Sequence, residues 1–241
     1  MERRSPLPPQ LILLLGVLAV STASTFIRLA QDDIPSLAVA AWRLTLASVI
    51  LAPVTLATRR AELRSLSRQE WLLALAGGLV LALHFAAWIT SLAMTSVAAS
   101  VVLVTTSPLF VGLITFLVFH EPVSPRLWVG MGLALVGSVV IGLDDAGLGT
   151  PRLLGDGLAL LGALAAATYF LIGRRLRARL SLLAYVFPVY ATAAAAPMAG
   201  ALLSGVSLTG YGASTWGWLL LLALIPQIIG HSSLNWALRH L

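Results

Sequence analysis

Eight apolar stretches of near-membrane length divide this chain, at roughly 10–29, 36–57, 71–94, 97–118, 126–143, 156–174, 181–204 and 216–238. A helix needs about 20 apolar residues to cross the hydrocarbon core. In lipid each backbone N–H and C=O must find a partner inside the protein, and a helix of that length provides one within its own segment. Charged residues make up 10% of the chain against 59% hydrophobic. A soluble domain carries about 25% charged residues, so this chain cannot cover a water-facing surface. The sequence predicts an all-α polytopic membrane protein of about eight transmembrane helices. The apolar run after Arg3 and Arg4 continues to Ile27, long for a signal-peptide core, and is read as a retained first helix.

The short connections alternate in charge. Arg3, Arg4, Arg59, Arg60, Arg64, Arg68, Arg126, Arg174, Arg175, Arg177, Arg179 and Arg239 fall on one side. Only Arg28 and Arg152 fall on the other, with Asp32, Asp33, Asp144, Asp145 and Asp156. Basic residues stay in the cytoplasm, so the N-terminus is expected there, in a bacterial plasma membrane. The same scatter of Arg between apolar runs explains the net charge of +6 without nucleic acid, which is not expected as a partner.

Two stretches carry one spaced signature. Trp71 precedes His84 by 13 residues, and Trp218 precedes His231 by 13, at a shift of 147. Leu14, Leu15, Gly16, Leu18, Ala19, Thr22 and Arg28 likewise match positions 146 further on. These matches predict an internal repeat: a first copy over 10–143, a Gly/Asp/Pro-rich linker over 144–154, and a second copy over 155–241. The first copy holds five helices, an odd number, so the second enters the membrane inverted. Inverted repeats place a transport site between the copies.

These features resemble the EamA-type branch of the drug/metabolite transporter (DMT) superfamily. The resemblance is carried by five-helix halves, the basic loop after helix 2, Arg43 in helix 2, and His120-Glu121-Pro122 closing helix 4. The stretch Thr105 to Leu143, with a Pro in helix 4 and a Gly-rich helix 5, is its nearest part. The resemblance implies ten helices in two inverted halves around a central cavity. It also implies export or exchange of small metabolites, such as an amino acid, nucleobase or drug-like solute. The second copy stops at Leu241, the counterpart of Met94, so a C-terminally truncated member is expected.

Candidate cavity residues are Arg43, His84, Trp88, Thr105, Pro108, Tyr169, Gln227, His231 and Asn235. Arg43 lies about 10 Å inside helix 2. An arginine there costs at least about 2.5–3.5 kcal/mol unless it meets a cavity or a partner. It either attracts an anionic substrate group or locks helix packing. His84 and His231 sit near mid-membrane and either line the cavity, exchange protons, or hydrogen-bond between helices. Gln227, His231 and Asn235 follow at i, i+4 and i+8; His84, Trp88 and Ser91 form the related stripe. Pro108, after Thr105, Thr106 and Ser107, and Pro226, before Gln227, each free a backbone carbonyl. Trp42, Tyr185 and Trp236 are further stacking candidates. Trp71 and Trp218 read as interfacial anchors. Gly130, Ala134, Ser138 and Gly142 form a small-residue stripe for helix packing, within the protomer or in a homodimer. Glu121 reads as a helix-end charge or a gate.

The chain has no cysteine, which excludes thiol-ligated metal. It shows no P-loop, paired catalytic carboxylates, nucleophile elbow or metal-spaced His cluster. No metal, cofactor or enzymatic activity is expected. The expected function is secondary transport of a small-molecule substrate, with helices 1, 3, 4, 6 and 8 lining the site. The rival readings are a non-transporting remnant or assembly partner and, from another class, a lipid-acting enzyme. The enzyme would need an acid–base pair at the membrane face, and the loop acids lack a nearby His.

Overall fold

The computed structural model describes residues 8–146 and 149–240. Every regular element among them is helical: α1 (Pro9–Ser21), α2 (Ala23–Gln31), α3 (Ser36–Thr58), α4 (Arg60–Arg64), α5 (Arg68–Met94), α6 (Val97–Val104), α7 (Ser107–Leu117), α8 (Pro125–Ala146), α9 (Thr150–Arg177), α10 (Leu182–Leu203), α11 (Ala213–Leu222), a π-helical segment (Ala223–His231) and α12 (Ser232–Ala237). Seven spans among the described residues are long and apolar enough to cross a membrane: 9–31, 36–58, 68–94, 97–117, 150–177, 182–203 and 213–237. The fifth predicted segment is helix α8, whose apolar part is counted over Pro125–Val140. The arginines at positions 3 and 4, on which part of the topology reading rests, lie outside the described residues.

Local chemistry sets the helix ends. Prolines stand where a missing N–H costs little, at the starts of α1, α8 and α9. Ser67 and Glu70 form a capping box at the start of α5. The hydroxyls of Ser96 and Ser181 cap α6 and α10. His120 adopts φ 56°, a left-handed conformation unusual for a residue with a Cβ. The chain turns there, between the end of α7 and the start of α8.

Three spans are interrupted. Between α1 and α2, Ser21 and Thr22 donate their hydroxyls to the carbonyls of Leu18 and Ala19 at 2.8 Å each. Between α6 and α7, Thr105 and Thr106 do the same to Val102 and Leu103, at 2.9 and 2.6 Å. Hydroxyls that bond back to a preceding carbonyl compete with the helical ladder and bend it. Pro108 adds to the second break, because it has no N–H for the preceding turn. The third interruption is the π segment, which contains Pro226.

Long helix α5 runs through the middle of the protein, packed on α9 and α10, while α3 pairs with α10. Glycines mark the closest crossings. A Cβ on Gly78 would stand 2.5 Å from the Thr192 Cβ, and one on Gly230 would stand 2.6 Å from a Val20 methyl. The core between these helices contains Ile27, Leu44, Leu81, Phe85, Tyr169, Tyr185 and Tyr190, all fully buried. Helix α8 is the most peripheral, with Leu133 and Val136 exposed and Met131 turned in against Gly112.

Ties cross between the first and second parts of the chain at both ends. At the Arg-rich end, Glu62 accepts hydrogen bonds from the Ser181 backbone N–H at 2.7 Å and its hydroxyl at 2.6 Å. Glu70 pairs with Arg179, and Glu121 with Arg174 at 2.9 Å. At the opposite end, Thr215 donates to Asp33 at 2.9 Å and the Trp42 indole to the Leu208 carbonyl at 2.8 Å. Three loop assignments need correction, and two of them, Asp144 and Asp145, fall in the last turn of α8. Helix α9 starts at Thr150, six residues before the predicted segment, so Asp156 is a buried helical residue rather than a loop acid. Gly155 makes this close fit possible, since a Cβ there would come within 2.9 Å of Thr95.

Candidate functional site

All three interrupted spans meet around one cavity of about 280 Å³. Ser21 and Ser24 reach it from the first span, His84 and Trp88 from α5, Thr105 and Ser107 from the second break. Phe170 of α9 and His231 of the π segment complete the wall. The lining therefore comes from helices 1, 3, 4, 6 and 8 of the eight predicted segments. A second cavity, of about 610 Å³, shares Ser107, Phe170 and Leu234 with the first. It continues toward the Arg-rich end, where Pro108, Pro122 and Arg174 line it.

The two histidines of the repeated signature face each other, with ring centroids 6.2 Å apart. His84 Nδ1 lies 2.8 Å from the Gly162 carbonyl oxygen. A carbonyl only accepts, so Nδ1 carries the proton and a neutral His84 keeps Nε2 as an acceptor. Trp88 stacks on His84 at 5.9 Å, and its indole N–H has no hydrogen-bond partner among protein groups.

Arg43 lies one layer of rings behind the cavity. Its guanidinium sits 4.0 Å above the Phe85 ring, and Phe85 contacts the His231 ring at 5.2 Å. Arg43 Nε donates to Gln227 Oε1 at 2.9 Å. Both terminal nitrogens, Nη1 and Nη2, are buried without a hydrogen-bond partner. No carboxylate among the described residues forms an ion pair with Arg43. A desolvated cation–π contact contributes about 2 kcal/mol. A hydrogen bond to a charged group adds about 1.5–3 kcal/mol. Each buried polar group left unmade costs about 1–3 kcal/mol. The two contacts thus offset much of the burial of Arg43 but leave donor capacity unused.

The predicted polar stripe on the last span separates onto different partners. Gln227 turns to Arg43, His231 to the cavity, and Asn235 to the Tyr169 hydroxyl at 2.6 Å. A wider helical turn between 223 and 231 changes which side chains share a face. Tyr169 is fully buried and stacks on Tyr185 at 6.4 Å, so it supports the wall from behind. Ser91 hydrogen-bonds Ser100 at 2.6 Å, tying α5 to α6 away from the cavity.

Trp42, read as a stacking candidate, meets Trp216 at 4.9 Å near the end of the molecule opposite the arginines. Trp236 stacks on His240. Trp71 is exposed, and Trp218 stacks on Phe26 at 5.9 Å. In the small-residue stripe, Gly130 is exposed with nothing within 4 Å of where a Cβ would stand, while Ala134 and Ser138 are half-buried. The surroundings of Gly142 lie outside the described residues. Two side chains escaped the sequence reading. Phe85 links Arg43 to His231, and only its place beside His84 hints at that. Arg177, counted as a loop charge, is fully buried and donates to the carbonyls of Asn235 and Leu180.

A model of the EamA-like transporter family matches residues 7–143. Fourteen chains of solved structures are similar to this one. One of them, a crystal structure, superposes with a TM-score of 0.67 at 21% identity, covering 95% of this chain and 78% of its own. At that identity the likeness carries the fold alone. No curated protein matches.

Proposed function

The chain belongs to the EamA-like transporter family, and from that premise we propose that it moves a small organic solute across the plasma membrane by alternating access, as an exporter or exchanger. The family is one of multi-pass membrane transporters rather than enzymes. The observation that carries the mechanism is the meeting of three interrupted spans around the cavity that holds His84 and His231. Discontinuous helices at the bilayer midplane are where secondary transporters bind their substrates. Residues 10–143 form one five-helix repeat in this reading, and 155–241 belong to its inverted copy. His84 and His231 then enter the cavity from opposite halves, and the N-terminus lies in the cytoplasm with the Arg-rich end.

The cavity wall divides the work. Trp88 and Phe170 offer flat faces, His84 an acceptor, and Ser24 and Thr105 small hydroxyls. Apolar surroundings exclude water and strengthen each polar contact. Tyr169, Asn235 and Gln227 hold the helices that present these groups.

The absence of cysteine gives a clean background for the test. Single substitutions Ser24→Cys and Thr105→Cys in proteoliposomes are exposed to a membrane-impermeant maleimide from each side in turn. The expected result is labelling of both positions from either side, with counterflow of a loaded solute. Labelling from one side only, under every solute condition, would rule out alternating access.

A further inference from the structure

We propose that the solute is an organic monoanion, a small aromatic or amphipathic carboxylate without an ammonium group, selected by the unpaired charge of Arg43. The inference rests on the transport reading above and assigns its substrate class. It starts from the charges around the cavity. Arg43 is fully buried, has no carboxylate partner among the described residues, and keeps Nη1 and Nη2 unbonded. Phe85 stacks between its guanidinium and the ring of His231, which lines the cavity. In so dry a setting its field is weakly screened, and an anion in the cavity is attracted across one layer of rings. The lining itself contains no Asp or Glu.

An ammonium finds no carboxylate in the same place. Besides acids, its natural hosts would be carbonyls exposed at the helix breaks. Those of Leu18, Ala19, Val102 and Leu103 each already accept a hydroxyl, from Ser21, Thr22, Thr105 and Thr106, which leaves them a weaker draw for a cation than a carboxylate would be. The remaining free donors reinforce the preference. The Trp88 indole N–H has no partner among protein groups, and neither do Nη1 and Nη2 of Arg43. Flat surfaces of Trp88, His84 and Phe170 favour an aromatic body over a sugar or a polyol.

The test uses the purified full chain in detergent and three probes of one shape: 3-phenylpropionate, phenylalanine and phenethylamine. Isothermal titration calorimetry measures each Kd, and proteoliposome flux is measured in parallel. The carboxylate is expected to bind tighter than the zwitterion and the amine by about tenfold or more, since like charge in a desolvated site is strongly rejected. Arg43→Gln should erase that ranking and Arg43→Lys should keep it. The wild-type ranking decides the matter even if Arg43→Gln fails to fold. Equal or tighter binding of the zwitterion or amine overturns the proposal, as does no carboxylate binding at millimolar concentration. Chloride titrated alone is a further arm. If it saturates the protein and 3-phenylpropionate adds no heat, the site takes inorganic anions and the proposal fails. Carboxylate binding without flux keeps the proposal and removes the transport reading. Flux without the ranking does the reverse.

Discussion

Arg43 and Gln227 make the sharpest case for how single side chains hold this protein together. Gln227 supplies the one hydrogen bond that Arg43 makes, at 2.9 Å. Removing the acceptor while leaving the cation strands a buried charge, which costs more than removing both. Gln227→Leu is therefore expected to destabilise the detergent-solubilised protein by about 2 kcal/mol. Adding Arg43→Met should restore part of that loss, and thermal unfolding of the two single variants and the double variant checks the sign. The glycines offer a cleaner contrast. A Cβ at position 230 would meet Val20 Cγ1 at 2.6 Å and the Val20 backbone nitrogen at 3.0 Å, and backbone cannot step aside. Gly230→Ala should cost about 1–3 kcal/mol by overpacking. Gly130→Ala, with nothing within 4 Å, should be neutral or slightly stabilising through helix propensity. Equal Tm values for both variants would show that the crossing of the first and last spans has room for a methyl group. At this scale the sequence was only partly legible. Depth along a helix marked Arg43, His84 and His231, because a polar group in lipid is conspicuous wherever it stands. Phe85 and Arg177 were not conspicuous. A phenylalanine in an apolar helix carries no signal, and an arginine near a helix end looks solvated until the chain folds over it.

Helices were the easiest part to read, and their interruptions the hardest. Lipid tolerates no unpaired backbone, so every span announces itself by length and apolarity. Pro108 marked the break in the fourth span. The break in the first span has no proline; there the Ser21 and Thr22 hydroxyls bond back onto the preceding turn. Nothing in a run of apolar residues distinguishes a π turn from an α turn, so the stripe of Gln227, His231 and Asn235 looked like one face. The π segment places Gln227 on Arg43 while His231 still reaches the cavity. π turns behave as one-residue insertions that cluster at functional sites. Deleting Ile225 should return the segment to α geometry and rotate Gln227 away from Arg43 relative to the residues that follow. Near-wild-type helix content by circular dichroism is expected, together with at least a tenfold loss of flux. Retained flux would mean that the π geometry plays no part in aligning the site.

For the whole molecule, the alternation of arginines predicted which ends lie together, and the structure adds what those ends do. From sequence Glu121 reads as a helix-end charge or a gate, and Glu62 and Glu70 carry no reading at all. Each ties the first part of the chain to the second, through Arg174, Ser181 and Arg179 respectively. Sequence distance hid the pairing, since the partners are more than 50 residues apart. Their strengths differ. The Glu121–Arg174 pair is about half exposed on both sides, and such pairs contribute only about 0.2–1 kcal/mol. Glu62 accepts two hydrogen bonds at the start of α10 from Ser181, which is buried. Losing it should cost about 1–2 kcal/mol, as loss of a helix cap does. Ties of this size suit an end that opens and closes in the proposed transport cycle. The Glu62 and Glu121 ties together contribute about 1.2–3 kcal/mol, and 2 kcal/mol changes a two-state population roughly thirtyfold. Replacing all three by glutamine is therefore expected to favour opening of the Arg-rich end. The reporter is Leu66→Cys, a buried position at that end. An impermeant maleimide should label it about tenfold faster in the triple variant than in the Leu66→Cys protein alone. Glu62→Gln should account for most of the change, and Glu121→Gln for little. An unchanged labelling rate with a lowered Tm would show that these carboxylates stabilise the fold without holding a gate.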